Sequence, residues 1–298
     1  MIRSFLAVLV LVCTASPSAK SVEPLPFEPL PRHRVVYSNA LVLRVNPVGA
    51  QDQFRVGYRY RLYDSESILF RTGYVGVDTS AVITPALVRL GASLEVEPIA
   101  VLQLGAKWEW VQYYGTIDHL QSFADTDVNW SDTENGRRSD AGLNDARGGW
   151  QASAYATLRA RVGPLVIRSK VLGLYADMSL RDGTSVWYDP YYDLLAPGTG
   201  WTIINDADLL LFLLQDRLIV GVRHNTSHAV HDTGYPAVQR MGPLVAYRFM
   251  DQPGEVLGRA TAFVLINWYL SHPFRTGSDV HQAIPYVAVG FALNGDLL

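Results

Sequence analysis

The sequence predicts an all-β fold: a closed, antiparallel, up-and-down transmembrane barrel of about twelve strands, within roughly 10 to 14. Three observations predict it. From Gln53 to Tyr63 the residues alternate, with Phe54, Val56, Tyr58, Tyr60 and Leu62 on one side and Arg55, Gly57, Arg59, Arg61 and Tyr63 on the other. That is the period of a strand with one oily face, and it returns about a dozen times along the chain. The links between these stretches alternate between tight turns and longer loops, as they do when strands run up and down a barrel. Finally, no stretch reaches the roughly 18 to 20 uninterrupted apolar residues of a membrane helix, so any crossing is made by strands.

The chain opens with Arg3 in a short charged region, an apolar run from Phe5 to Val12, and small or turn-forming residues from Thr14 to Ala19. Residues 1–18 read as a secretory signal peptide, with cleavage after Ala15 or Ser18. Cys13, the only cysteine, follows Val12 where a lipoprotein signal needs a small residue, so it is expected to leave with the signal. A thiol-free mature chain suits an oxidising compartment. Residues 19–32, with Pro24, Pro26, Pro29 and Pro31, read as an extended periplasmic leader. The barrel is expected over residues 33–298.

The pattern places strands near 33–46, 53–63, 68–78, 85–96, 101–114 and 149–162, then near 165–178, 201–213, 217–230, 238–250, 259–270 and 281–293. Tight turns are expected at Asp64–Ser67, Glu97–Ala100, Gly163–Pro164 and Leu214–Asp216, and long links at Gly115–Gly148 and Ser179–Gly200. In the fourth strand Ala86, Val88, Leu90, Ala92, Leu94 and Val96 oppose Arg89, Gly91, Ser93 and Glu95. In the sixth, Trp150, Ala152, Ala154, Ala156, Leu158, Ala160 and Val162 oppose Gln151, Ser153, Tyr155, Thr157, Arg159 and Arg161. The seventh and eleventh are less clean. Val166, Leu172 and Leu174 share a face with Arg168 and Lys170, and Phe263–Leu270 is apolar on both sides, so these are expected to face a plug or a packed lumen.

Aromatic residues gather near strand ends: Trp108, Trp110, Tyr113, Tyr114, Trp150, Trp187, Tyr188, Tyr191, Tyr192, Trp201, Trp268 and Tyr269. They read as a girdle at the headgroup layer. Signal, cysteine-free mature chain, dyad repeats, loop alternation and girdle together resemble bacterial outer-membrane β-barrel proteins, without a motif that fixes one family. The resemblance implies the outer membrane of a Gram-negative cell, contact with membrane lipid and lipopolysaccharide, and handling by the outer-membrane assembly machinery. One departure is that Phe291 is followed by seven more residues, where such barrels often end on phenylalanine.

Net charge is −3, so no basic field suggests nucleic acid. Of 25 Lys and Arg residues only Lys20, Lys107 and Lys170 are lysine, which suits buried pairing by planar guanidinium groups or an Arg-rich codon bias. The candidates for a polar lumen are Arg55, Arg59, Arg61, Arg89, Glu95, Lys107, Glu109, Arg159, Arg161, Asp206, Asp208, Arg240 and Arg248. Unpaired, they would attract anions; paired, they would close the barrel. The expectation is therefore a porin-like passive channel or small-solute transporter. The alternatives are a closed structural or surface-interaction barrel acting through its loops, and a lipid hydrolase.

The acidic loop 115–148 is expected to be solvated and is a candidate contact for a surface ligand. Its Asp125, Asp127 and Asn129 have calcium-loop spacing, but Trp130 and Gly136 stand where glycine and the bidentate glutamate are required. In His224-Asn225-Thr226-Ser227-His228, His224 shares its face with Thr226 while Ser227 points the other way, so no catalytic residue is assigned. No metal site and no cofactor is expected. A soluble secreted barrel stays open, because alternation alone does not say which face meets water.

Overall fold

The computed structural model describes residues 31–230, 237–252, 254–277 and 284–298. The expected signal peptide, and the leader except Pro31 and Arg32, lie outside them. In chain order the strands are β1 His33–Val45, β2 Gly49–Arg61, β3 Tyr74–Ile83, β4 Leu87–Ile99, β5 Leu102–Tyr113, β6 Ser122–Phe123, β7 Gly148–Val162 and β8 Leu165–Met178. There follow β9 Val186–Asp189, β10 Leu194–Pro197, β11 Thr199–Leu213, β12 Leu218–Val230, β13 Val238–Asp251, β14 Arg259–Ser271 and β15 Tyr286–Asp296; among the described residues one helix, α1, spans Asp132–Asp140. Twelve strands close a barrel in the order β1-β2-β3-β4-β5-β7-β8-β11-β12-β13-β14-β15 and back to β1, while β6, β9 and β10 form a small separate sheet.

Closure matters because a bilayer offers no partner for an unpaired edge. The first and last strands meet from Val36↔Asp296 to Val45↔Val287, so the residues after Phe291 continue the closing strand rather than trailing from it. Arg34 locks the seam, donating to both Asp296 carboxylate oxygens at 2.9 and 2.7 Å.

The third strand corrects the sequence reading. It runs from Tyr74 to Ile83, and residues 62–73 form a twelve-residue link where a tight turn at Asp64–Ser67 was expected. Ile68, Leu69 and Phe70 form a continuous apolar run of the kind that a strand can also show. However, Phe70 and Arg71 both donate their amides to the Ser67 carbonyl, which winds the segment into a turn. Tyr63 and Phe70 then pack edge to face with centroids 5.4 Å apart. Conversely, the β1–β2 and β3–β4 links are only three residues long, although they lie at the same end as the two longest loops.

Large apolar side chains are exposed on the outward positions around the wall, including Leu41, Phe54, Val77, Leu94, Leu158, Val171, Leu209, Val245, Val264 and Phe291. In water this would be a severe liability; it is the lipid face of a transmembrane barrel, and the fold is that of an outer-membrane protein. At the long-loop end Trp108, Trp110, Trp201 and Trp268 are exposed, and Tyr175 packs against both Trp150 and Trp201. Tyr113, Trp187, Tyr188 and Tyr269 depart from the expected girdle. They are at most 3 % exposed and point into the barrel mouth, where the two longest loops fold back to meet them.

That mouth holds the apolar core. Leu120, Phe123 and Trp130 from one loop and Val186, Trp187, Tyr188, Leu194 and Leu195 from the next cluster with Leu87, Val111, Tyr113, Met178 and Tyr269 of the wall. The loop 115–148 is thus a packed cap rather than a solvated excursion. Its helix α1 starts at Ser131, whose side chain accepts from the Glu134 amide. Asp125 and Asn129, considered above for calcium, instead accept from the backbone amides of Asp127 and Ser131.

Candidate functional site

Strand parity sends the charged residues to the interior, and β2, β3 and β4 gather them into one belt. Arg59 donates to both oxygens of Asp78 at 3.0 and 2.9 Å and lies 2.9 Å from Glu95. Arg55 also binds Glu95, and reaches Asp78 at 3.4 Å. Glu95, only 2 % exposed, further accepts from the hydroxyls of Tyr155 and Tyr74 and from Gln103. Two glycines make room for this: a Cβ at Gly57 would strike the Asp78 carboxylate, and one at Gly76 the Arg59 guanidinium. On the opposite wall Arg168 and Arg223 both donate to Asp208 at 2.7 Å. Asn225 donates to Asp206 at 2.8 Å and accepts from Arg240 at 2.9 Å. Lys107 pairs with Glu109 at 2.7 Å.

Of the other residues singled out from the sequence, Arg159 pairs with Glu97 at 2.5 Å, Arg61 with Asp64 at 2.6 Å and Arg248 with Asp251 at 2.7 Å, all towards the short-turn end. Arg161 does not join them inside. Its side chain is half exposed at the short-turn rim and binds Asp216 at 2.7 and 2.8 Å. The rim position follows from its place at the very end of β7. Arg89 is buried with its guanidinium 4.2 Å from the Tyr191 ring centre. Asp78 and Tyr74 escaped the sequence reading because the third strand was placed six residues early, and Glu97 because it was placed in a tight turn at Glu97–Ala100, whereas β4 runs on to Ile99. His224 and Thr226 alternate with the inward Arg223, Asn225 and Ser227, so they lie on the outer wall; Ser227 is fully buried and cannot meet them.

Arg275 joins several segments of the cap at one guanidinium. The Arg275 guanidinium donates to Asp193 at 3.0 Å, to both oxygens of Asp132 at 2.7 and 2.8 Å, and to Asn46 at 2.6 Å. It thereby ties the β9–β10 turn, the start of α1 and the β1–β2 turn to the last loop. Asp193, completely buried, also accepts from Tyr188 at 2.7 Å and Tyr269 at 2.6 Å. Burial alone would raise its pKa, but His272 and Arg275 beside it hold the carboxyl well below the usual range. His119, buried in the same cap and near Arg44, is pushed down to about 4 and is neutral at pH 7.

Between cap and ion-pair belt lies a cavity of about 560 Å³. Val42, Leu87, Ile204 and Leu265 supply apolar wall, and Arg44, Arg223, Arg240, Asp206, Asn225 and Asn267 the polar wall. Arg44 is held by the Pro190 and Tyr191 carbonyls at 2.5 and 3.3 Å, not by a carboxylate. A second, more polar cavity of about 330 Å³ opens on the belt itself, lined by Arg34, Arg55, Arg59, Asp78, Glu95 and Asp296 among others. The lumen is therefore interrupted rather than solid: cations dominate the upper chamber, and paired charges frame the lower.

No protein-family model matches the chain, and no curated protein matches it. Among solved structures it is similar to a KdgM porin in complex with disordered oligogalacturonate, at 6% identity and a TM-score of 0.40, over 87% of this chain and 98% of the other. The β domain of the Bordetella autotransporter BrkA matches at 8% identity and 0.40, over 87% and 97%. LpxR from Salmonella typhimurium matches at 9% and 0.37, over 87% and 99%. Matches this distant speak to neither function nor sequence family.

Proposed function

We propose that the protein is a small-solute channel of the bacterial outer membrane, with an anion-preferring lumen gated by its loop cap. The short-turn end then faces the periplasm and the cap faces outward, where the lipopolysaccharide leaflet would meet the tryptophan girdle. The observation that carries this reading is the pair of cavities left inside the barrel, the upper one lined by Arg44, Arg223 and Arg240 against Asp206. Low-dielectric walls focus the field of such cations and raise the local concentration of anions. The test is current through planar bilayers under a KCl gradient. Discrete steps with a reversal potential displaced towards chloride are expected; steps that favour potassium, or none under any voltage, contradict the proposal.

A second reading is favoured by the buried core of the loops. Trp187, Tyr188, Leu120 and Leu195 bury a rigid surface where a simple pore would leave mobile loops. In that reading the barrel is a pedestal, and loop 115–148 meets a ligand outside the cell. Deleting this loop would abolish surface binding while leaving barrel assembly intact; binding that survives the deletion removes this reading.

A further inference from the structure

We propose that the upper cavity is a binding site for a small amphipathic hydroxy acid: one carboxylate, a neighbouring hydroxyl and an apolar body. The volume of about 560 Å³ falls within the roughly 300–1,000 Å³ of small-molecule sites. The argument then rests on polar groups that the fold leaves unserved. Arg240 is 7 % exposed and stacks on the Tyr286 ring at 4.3 Å, but among the described residues only its Nη2 finds a hydrogen-bond partner, on Asn225; Nε and Nη1 have none. Asn267 is 1 % exposed and its Oδ1 has no hydrogen-bond partner among the described residues. Both residues line the cavity.

The two are close in the sheet. Arg240 pairs with Tyr269, and Asn267 sits two residues along β14, where Gly242 of β13 lies against its Cα. The glycine lets the two strands approach closely there, since a Cβ at Gly242 would strike the Ile266 carbonyl oxygen. Unpaired buried donors on a guanidinium call for an anion, and an adjacent unpaired acceptor calls for a hydroxyl donor. Each is costly to leave unmade, which favours a ligand that supplies both.

The remaining wall selects against other classes. Val42, Leu87, Ile204 and Leu265 form an apolar wall that a sugar would leave unmatched, and the arginines repel a metal ion. Asp206, the carboxylate on this wall, is occupied by Asn225 at 2.8 Å and disfavours a second negative charge, so a monoanion fits better than a phosphate ester. The site does not require that the barrel conduct.

The test is calorimetric titration of the full barrel in lipid nanodiscs with 3-hydroxyoctanoate, octanoate and neutral 1,3-octanediol. One saturable site is expected, with 3-hydroxyoctanoate binding more tightly than octanoate. Arg240→Gln should weaken both acids at least about tenfold and leave the diol unchanged. Asn267→Leu should erase the preference for the hydroxy acid. Heat-modifiable gel mobility shows whether each variant is folded; should Arg240→Gln fail, Ile204→Trp, which fills the cavity, must abolish acid binding in a folded barrel. Absence of a saturable site, binding retained by Ile204→Trp, or acids unaffected by a folded Arg240→Gln would overturn the proposal. Binding without bilayer current would sink the channel reading and keep the site; current without binding would do the reverse.

Discussion

Glu95 shows what a single lumen residue holds together, since two arginines, two tyrosines and a glutamine converge on it. Glu95→Ala strands Arg55 and Arg59 with only Asp78 between them, a loss of about 3–5 kcal/mol by the usual cost of breaking a buried pair. Urea unfolding from bilayers should show it, and a loss below 1 kcal/mol would mean that water replaces the carboxylate. Its pairing was half legible: parity on β2 and β4 put Arg55, Arg59 and Glu95 on one face, but Asp78 stood at the end of a misplaced third strand. The apolar run Ile68-Leu69-Phe70 reads as the start of a strand, and only the turn at Ser67 reveals otherwise. At the same scale, acid should loosen the cap in two stages. His119 has a folded pKa of about 4, below its unfolded value near 6.5, so the unfolded cap binds more protons and stability falls as pH drops through that window. Asp193 is depressed, so its contribution is complete above an unfolded pKa near 3.9 and is lost only below it. Tryptophan fluorescence of the cap against pH checks this, and His119→Phe should remove the first stage alone.

Among the elements, the cap was the least legible. Strands announce themselves by a period of two that is local in sequence. The cap is built instead from contacts between β6, β9, β10 and α1, brought together from two loops with no period to read. Only the doubly apolar stretch at Phe263–Leu270 and the mixed face of Leu172 and Leu174 hinted that something packs inside. Arg275 is the element-scale fastener, since four segments meet on one guanidinium. In Arg275→Ala, amides of 121–123 and 186–188 should exchange with deuterium at least about tenfold faster, while those of β3 and β4 keep their protection. Unchanged exchange in the cap would show that its apolar core suffices without the clamp.

For the whole molecule, strand number and lipid face were readable because closure and burial impose the same alternation on every strand. Leu94 is 54 % exposed in the middle of that face. Leu94→Arg should cost about 2–4 kcal/mol in folding from urea into bilayers, and the same change in detergent should cost less. Equal costs in both would speak against a lipid-facing wall. The larger claim is that a complete barrel keeps solute chambers inside it behind a fastened cap. The measurement that reaches it most directly compares single-channel current through wild-type and Arg275→Ala barrels in planar bilayers. The wild type should open rarely, and the variant should open often, with steps of the same anion preference. Silent bilayers for both, with correctly folded protein present, would show that the lumen is closed by its ion pairs and not by its cap.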